Sequence, residues 1–208
     1  MSLRLEMLQV ARVAPKALED ASDLVRDFLL SQQHPDGGFC DRDGESDLYY
    51  TVFGLNALAA FQVEPDMNAV EKFLLKFDEG EGLDLVHLSC LCRCWGTLGQ
   101  KRMPKGLRKV LLNRLEAFRK PCGGWDNNPE REHGTAYGSF LALGAYQDLG
   151  KLPPKPFRIL QSLKHLETPD HAWNNHPNLP VGSTNPTAGA VVLLNNLHLP
   201  INAEVGKW

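Results

Sequence analysis

Three side chains of the types that bind zinc fall near the first turns of predicted helices: Asp47, His87 and His133. A catalytic zinc site needs about three protein ligands and an open fourth position. If these helices begin at one edge of the molecule, the three side chains can converge there. The alternative is that Asp47 and Asp84 cap helix N-termini and that the histidines are ordinary surface residues. We favour this alternative, so we expect no resident cofactor. A bound zinc ion is the less favoured possibility.

The cysteines point to packing rather than to reactivity. They are five in number, and Cys90, Cys92 and Cys94 share one apolar segment, LSCLCRCWGTL. Three thiols at alternate positions of one helix do not converge on a metal ion. We therefore expect buried thiols in a reducing, cytoplasmic protein. Cys40 and Cys122 fall in predicted loops, where a packed thiol is expected rather than a nucleophile.

The elements that position these residues follow from an internal repeat. Loop aromatics occur at Phe39, Trp125 and Trp173, separated by 86 and 48 residues. Because 86 is twice 43, a further copy is expected near residue 82, and Gly82-Leu83 is found there without its aromatic residue. The chain therefore contains four copies of one unit, a pattern typical of helical-repeat proteins.

Each copy consists of an amphipathic helix, a loop and a more apolar helix. The amphipathic helices are predicted at Pro15–Gln33, Met67–Phe77, Lys105–Arg119 and Pro156–Leu166. The apolar helices are predicted at Ser46–Phe61, Leu83–Leu98, His133–Leu149 and Asn185–Leu197. We expect one all-α domain over 1–208, with repeats at 15–61, 67–99, 105–149 and 156–198. Stacked pairs form a curved double layer with the apolar helices inside, and Leu3–Val13 is predicted to be a leftover inner helix.

Two loops carry the motifs of a known family. Phe28-Leu29, Gln33, Gly37 and Phe39 resemble the QW motif, and Gly37 to Arg42 resembles a GGFxGR loop. Gly123-Gly124-Trp125 is a second loop of this kind. The chain thus resembles the prenyltransferase and squalene-oxidase repeat family, which includes protein prenyltransferase β-subunits and terpenoid cyclases. This resemblance implies an α/α toroid, or a partial toroid of four helix pairs.

The motif residues have a structural interpretation. Gln33, at a helix end, can satisfy backbone groups of its own helix or of a neighbour. The rings of Phe39 and Trp125 are expected to be buried between consecutive helix pairs. The glycines permit a positive φ and a tight return of the chain; they are Gly37, Gly38, Gly123 and Gly124.

The resemblance leaves catalysis open. Cyclases of the family protonate substrate with a DxDD cluster, which is absent here, so terpene cyclisation is disfavoured. Prenyltransferases of the family hold zinc with an Asp, a Cys two residues later and a distant His. Asp47 is present, but Tyr49 stands at the Cys position, and Tyr is a poor substitute for a thiolate. An active enzyme of this kind would be a prenyltransferase-like transferase.

Aromatic residues of the inner helices are the candidates for a ligand cavity. They are Tyr49, Tyr50, Phe53, Trp95, Tyr137 and Phe140. The resemblance implies that such a cavity holds an isoprenoid or another apolar chain. The alternative is that these rings only fill a small core. Two functions therefore remain open: a prenyltransferase-like protein, and a non-catalytic α/α scaffold that binds a partner protein.

The composition of the chain limits the classes of partner that the protein is expected to bind. The chain has 208 residues, 43% hydrophobic and 23% charged, with a net charge of −3. This charge predicts no binding of nucleic acid. The N-terminus lacks the pattern of a secretory signal, and no apolar run is long enough to span a membrane. The last inner helix has few polar residues and no helix after it, which favours a homodimer slightly over a self-closed barrel.

Overall fold

Helices make up nearly all of the regular structure. The computed structural model describes residues 2–205, so the sequence-based prediction that Trp208 is mobile and matters less for stability than Trp125 concerns a residue outside the described ones. The helices are α1 (Leu3–Ala11), α2 (Ala14–Leu18), α3 (Ala21–Ser31), α4 (Leu48–Ala60), α5 (Met67–Leu75), α6 (Leu85–Leu98), α7 (Leu107–Ala117), α8 (Ala136–Asp148), α9 (Phe157–Leu166) and α10 (Thr184–Asn196). One antiparallel pair joins β1 (Phe39–Cys40) to β2 (Ser46–Asp47). The predicted all-α class is confirmed.

The first predicted helix, Pro15–Gln33, is wrong as a single helix. The chain breaks at Glu19, which has φ +46°, and α3 begins at Ala21. Asp20 and Asp23 lie at the start of α3, where negative charge interacts favourably with the helix dipole. The acidic residues therefore favour a new N-terminus within the segment that the apolar pattern presents as continuous.

Four apolar helices form the centre of the fold. We call α4, α6, α8 and α10 the central row, because α4 packs on α6, α6 on α8 and α8 on α10. The amphipathic helices flank this row, with α3 on α4, α5 and α7 on α6, and α9 on α8. A helix that is apolar on most sides must be covered on most sides. This requirement places α6 and α8 in the middle of the hydrophobic core.

Three loops repeat the same bonds between a loop aromatic and the next central-row helix. The backbone N–H of the aromatic residue donates to a buried hydroxyl of that helix. The pairs are Phe39–Thr51 at 2.9 Å, Trp125–Ser139 at 3.3 Å and Trp173–Thr187 at 3.0 Å. Since a buried N–H without a partner is costly, each hydroxyl holds its loop against the row.

The ends of α3 and α7 are tied by side chains to the start of the next flanking helix. Gln33 donates to the carbonyl oxygens of Gly37 and Asp66, both at 3.4 Å, and accepts from the Asp66 N–H at 3.2 Å. Asp66 caps α5. Arg119 does the same two units later, donating to the carbonyls of Gly123 at 3.0 Å and Pro154 at 2.7 Å. These side chains satisfy backbone groups that the helix ends leave without partners.

Glycine is required where the next flanking helix crosses a loop. Gly37 and Gly123 have φ of +100° and +107°. A Cβ at Gly37 would lie 1.9 Å from the carbonyl oxygen of Ala69, and one at Gly123 would lie 2.4 Å from the Cβ of Arg158. Both contacts are too short for real atoms. The loops therefore pack directly against α5 and α9.

Both ends of the described chain pack onto the row. Near the N-terminus, α1 contacts α4 and α8, and Arg4 lies 3.2 Å from the buried carboxylate of Asp148. Leu199 and Val205 pack against the core beyond α10. The segment after α10 therefore packs against the hydrophobic core, although no helix follows α10 within the described residues. No helix within residues 2–205 is long and apolar enough to cross a membrane.

Candidate functional site

One histidine lies between two carboxylates at the starts of α4 and α6. His87 Nδ1 lies 2.7 Å from Asp84 Oδ1, and Nε2 lies 3.6 Å from Asp47 Oδ2. Both aspartates are also N-caps. Asp47 accepts from the N–H groups of Tyr49 at 2.7 Å and Tyr50 at 3.0 Å, and Asp84 accepts from the His87 N–H at 2.8 Å. Capping therefore places both carboxylates beside the imidazole.

The surroundings favour an ionised Asp84. Partial burial alone would raise its pKa, but hydrogen bonds from the His87 N–H and ring outweigh it, so the pKa of Asp84 is lowered. A carboxylate only accepts hydrogen bonds, so the ring donates from Nδ1 to Asp84. Nε2 then faces the Asp47 carboxylate. An imidazole oriented in this way can hydrogen-bond to a bound polar group.

His133 lies apart from this pair. Its Nδ1 is 3.2 Å from the carbonyl oxygen of Gly134, and its ring centre is 6.4 Å from that of His176. In the described part of the chain, no group of three or more His, Cys, Asp or Glu side chains is arranged to hold a metal ion. Asp84 and Asp47 lie on different nitrogens of the His87 ring, so the three donors do not point to one centre. These residues do not fit zinc.

Three aromatic side chains near the pair are exposed although they belong to central-row helices. We call Tyr49, Phe53 and Tyr137 the aromatic face. The rings of Tyr49 and Phe53 meet edge to face at 4.9 Å, and 47% of Tyr137 is exposed. Burial raises the pKa of Tyr137, and Coulombic interactions with Tyr49 and Cys90 add to the rise. The aromatic face combines residues of α4 and α8.

The other predicted cavity residues lie elsewhere. Trp95 is fully buried, and it borders a separate cavity at the C-terminal ends of α6 and α8 instead of the aromatic face. Phe140 is half-buried against the core. Since α6 is covered by helices on several sides, an aromatic residue in its last turns is enclosed. Trp95 is therefore a core residue.

Tyr50 and Phe53 line a second concave surface, which sequence reasoning missed. This α3 groove has a volume of about 340 Å³ and lies between α3 and α4, with Phe28, Leu29 and Ala57 also in its wall. The available signal was the apolar face of α3. The apolar spacing of α3 predicts a face that packs on the core, whereas the structure leaves much of that face exposed to solvent.

The cysteine thiols are held in the neutral form or serve as packing partners. Burial raises the pKa of Cys90 to about 12 and also raises those of Cys92 and Cys94. Cys122 lies 3.2 Å from the hydroxyl of Ser162 and accepts from the Gly134 N–H at 3.1 Å. A neutral thiol is a poor nucleophile, so the buried three are structural.

Comparison with known proteins gives no independent assignment. No protein-family model matches this chain, and no curated protein matches it. The function must therefore be argued from the site itself.

Proposed function

We propose that this protein is a prenyltransferase-like helical-repeat protein that binds an isoprenoid or another apolar ligand on its aromatic face. The carrying observation is that Tyr49, Phe53 and Tyr137 are exposed on helices that are otherwise built for burial. Large aromatic rings exposed together typically mark a binding surface. The bonds that repeat at the loops support the family assignment.

An α/α toroid, or a partial toroid, is the arrangement we propose for the helices. α1 contacts both α4 and α8, the two neighbours of α6. One helix reaches both neighbours most readily if the row curves towards it. In this arrangement the row lines the concave side, α1 covers part of that side, and the aromatic face remains accessible.

The polar end of the ligand is proposed to lie at His87. Its Nε2 faces Asp47, beside the N-terminal turn that carries Tyr49. An alcohol hydroxyl, which both donates and accepts, can hydrogen-bond to this nitrogen while the hydrocarbon chain covers the aromatic rings. The arrangement supports binding and orientation of a hydroxyl, and we assign no reaction to it.

Calorimetric titration with farnesol tests the proposal. Tyr137→Ala should weaken binding by about tenfold, since a buried aromatic contact contributes more than 1 kcal/mol. Phe157→Ala is the matched control, because Phe157 is also largely exposed but lies on α9. Equal affinity of the wild type and Tyr137→Ala, or no binding of farnesol, would refute the aromatic face as the site.

A non-catalytic scaffold that binds a partner protein is the second candidate. It is favoured by Tyr49, which stands where the resemblance places a thiolate ligand, and by the poor fit of the His87 group to zinc. Native mass spectrometry tests for a zinc-dependent transferase. One zinc ion per chain that is lost in His133→Ala would support a transferase, whereas the titration with farnesol separates a ligand-binding protein from a scaffold.

A further inference from the structure

The most exposed apolar surface of a flanking helix lies on α3. Leu24 is 73% exposed and Phe28 is 59% exposed. None of the α3 residues, all of which the structure describes, is buried. The other flanking helices α5, α7 and α9 each bury at least three residues. An apolar stripe this open marks a contact surface.

The equivalent positions in the other repeats show which contact the α3 stripe does not make. Phe28 lies eleven residues before the loop aromatic Phe39. The residues at the same distance from Trp125 and Trp173 are Arg114 and Ser162. Arg114 lies 3.9 Å from Glu81, and Ser162 lies 3.2 Å from Cys122, so each touches the loop of the preceding unit. Phe28 occupies the same position, but within residues 2–205 no such loop precedes α3. Within the described residues, the stripe is therefore not covered by a loop in the way that the preceding loops contact α7 and α9.

A groove adjoins the stripe. Phe28 is itself part of the wall of the α3 groove, with Leu29, Tyr50 and Phe53. The groove is largely apolar and runs between two helices. A cleft of this kind suits the apolar face of a further helix.

The segment that supplies α3 and the first loop is predominantly acidic, and Asp41 and Arg42 are the charged residues in the groove wall. Residues 19–45 contain eight acidic and two basic residues, a net charge of −6, whereas the whole chain carries −3. Asp23 and Asp27 follow the apolar stripe along α3, with side chains that are 80% and 65% exposed. Arg26 is paired with both. An occupant of the groove therefore gains from positive charge at its edges.

The chain's own last loop is a poor occupant. At the position of Gly37 and Gly123 it carries His171, also at positive φ. A Cβ at either glycine would clash with the helix that crosses it, so His171 prevents the close approach that the earlier loops make. The last loop therefore does not replace the missing neighbour of α3.

A second copy is also disfavoured. A two-fold axis perpendicular to α3, which pairs the helix antiparallel with its symmetry mate through Leu24 and Phe28, brings the same flank of each helix together. The aspartate row of one copy would then face the aspartate row of the other. Like charges in this arrangement oppose association.

We propose that the α3 groove docks a basic amphipathic helix of a partner protein. The apolar side of that helix packs on Leu24 and Phe28 and enters the groove beside Tyr50 and Phe53. Its lysine or arginine side chains lie along Asp23 and Asp27. This surface differs from the proposed ligand site in its electrostatics, although Phe53 borders both.

Fluorescence anisotropy with two synthetic helical peptides tests the proposal. One peptide places lysine and leucine in an amphipathic pattern, and the other replaces every lysine with glutamate. The lysine peptide should bind, and Phe28→Ala should weaken it by about tenfold. Phe157→Ala, which removes a ring that is 58% exposed on α9, should leave the affinity unchanged. Asp23→Asn with Asp27→Asn should weaken binding and reduce its salt dependence.

Three outcomes would overturn the proposal. The first is a lysine peptide that does not bind, or that binds no better than the glutamate peptide, and the second is unchanged lysine-peptide affinity in Phe28→Ala. The third is a wild-type dimer that dissociates in Phe28→Ala, which would make a second copy the occupant. Phe28 is exposed, so its removal should not prevent folding, and an unchanged melting temperature of the variant verifies this.

Discussion

At the scale of single residues, the loop aromatics carry most of the specificity of the fold. Trp125 is fully buried, its indole N–H donates to the Leu115 carbonyl at 3.0 Å, and the Arg119 guanidinium lies 4.4 Å from its ring centre. Trp173 repeats the indole bond with Leu163 at 3.1 Å. Phe39 has no ring donor, so its loop relies on the backbone bond to Thr51.

Trp125→Ala should lower the free energy of unfolding by roughly 3–5 kcal/mol, because a large buried ring is removed. Trp125→Phe keeps most of the ring and loses the indole bond, so a loss of about 1 kcal/mol is expected. Chemical denaturation measures both. If Trp125→Ala destabilised no more than Phe157→Ala, a truncation at an exposed ring, the assigned role of the loop aromatic would be wrong.

Asp36 joins the first loop to α5. Its carboxylate accepts from Lys76 Nζ and from the Ser46 hydroxyl, both at 2.7 Å, and from the Gly38 N–H at 3.0 Å. Partial burial opposes ionisation, but these bonds outweigh it and hold the pKa of Asp36 well below its ordinary value of 3.8. The ionised form therefore stabilises the folded state.

The stabilisation by Asp36 is present above pH 3.8 and is lost as the pH falls through the lower pKa of the folded state. At pH 7, Asp36→Asn should lower the free energy of unfolding by about 1 kcal/mol. The difference from the wild type should shrink below pH 4. Denaturation curves across pH 2–7 measure it, and a difference that grew towards low pH would contradict this account.

At the scale of helices, the distance between a helix and the groups packed against it decides where glycine is required. Gly54 lies on α4 beneath the Phe39 ring, and a Cβ there would be 2.3 Å from a ring carbon. Gly144 lies on α8, and a Cβ there would meet nothing within 4 Å. Two glycines in equivalent helical settings therefore have opposite tolerance for a methyl group.

Gly54→Ala should destabilise the protein, because the clash with Phe39 exceeds the gain of about 1 kcal/mol in helix propensity. Gly144→Ala should stabilise it by up to about 1 kcal/mol for the same propensity reason without a clash. Thermal denaturation of the pair provides the comparison. Stabilisation by both substitutions would show that Phe39 does not pack closely on α4.

At the scale of the whole molecule, charge is separated along the chain. Residues 19–45 carry −6, so the remaining residues together carry +3. The exposed apolar stripe of α3 lies within the acidic segment. Charge of one sign around an apolar stripe favours a partner of opposite charge and disfavours a second copy.

Light scattering at micromolar concentration should therefore report a monomer near 23.2 kDa. The sequence slightly favoured a dimer because the last helix has no helix after it, but the C-terminal segment packs beside that helix and the acidic row borders the open stripe. A dimer that persisted at low salt, where repulsion is strongest, would contradict this expectation.

The sequence by itself determined the helices, their alternation and the loop motifs. Apolar spacing, caps such as Asp47 and Asp84, and turn glycines act over a few residues, so they can be read locally. Because these signals are local, they also explain why the prediction of one continuous helix across Glu19 is wrong. There the apolar pattern continued, but the acidic residues around the break favoured a new helix start.

Only the tertiary structure decided which residues meet. His87 lies between Asp84 and Asp47 because α4 and α6 are neighbours with adjacent N-termini, whereas His133, at a similar place in its own unit, contacts Gly134. Likewise, Trp95 is buried and Phe28 is exposed, although both lie on apolar helix faces. Periodicity shows that a face is apolar, but what covers that face depends on the packing of units distant in sequence.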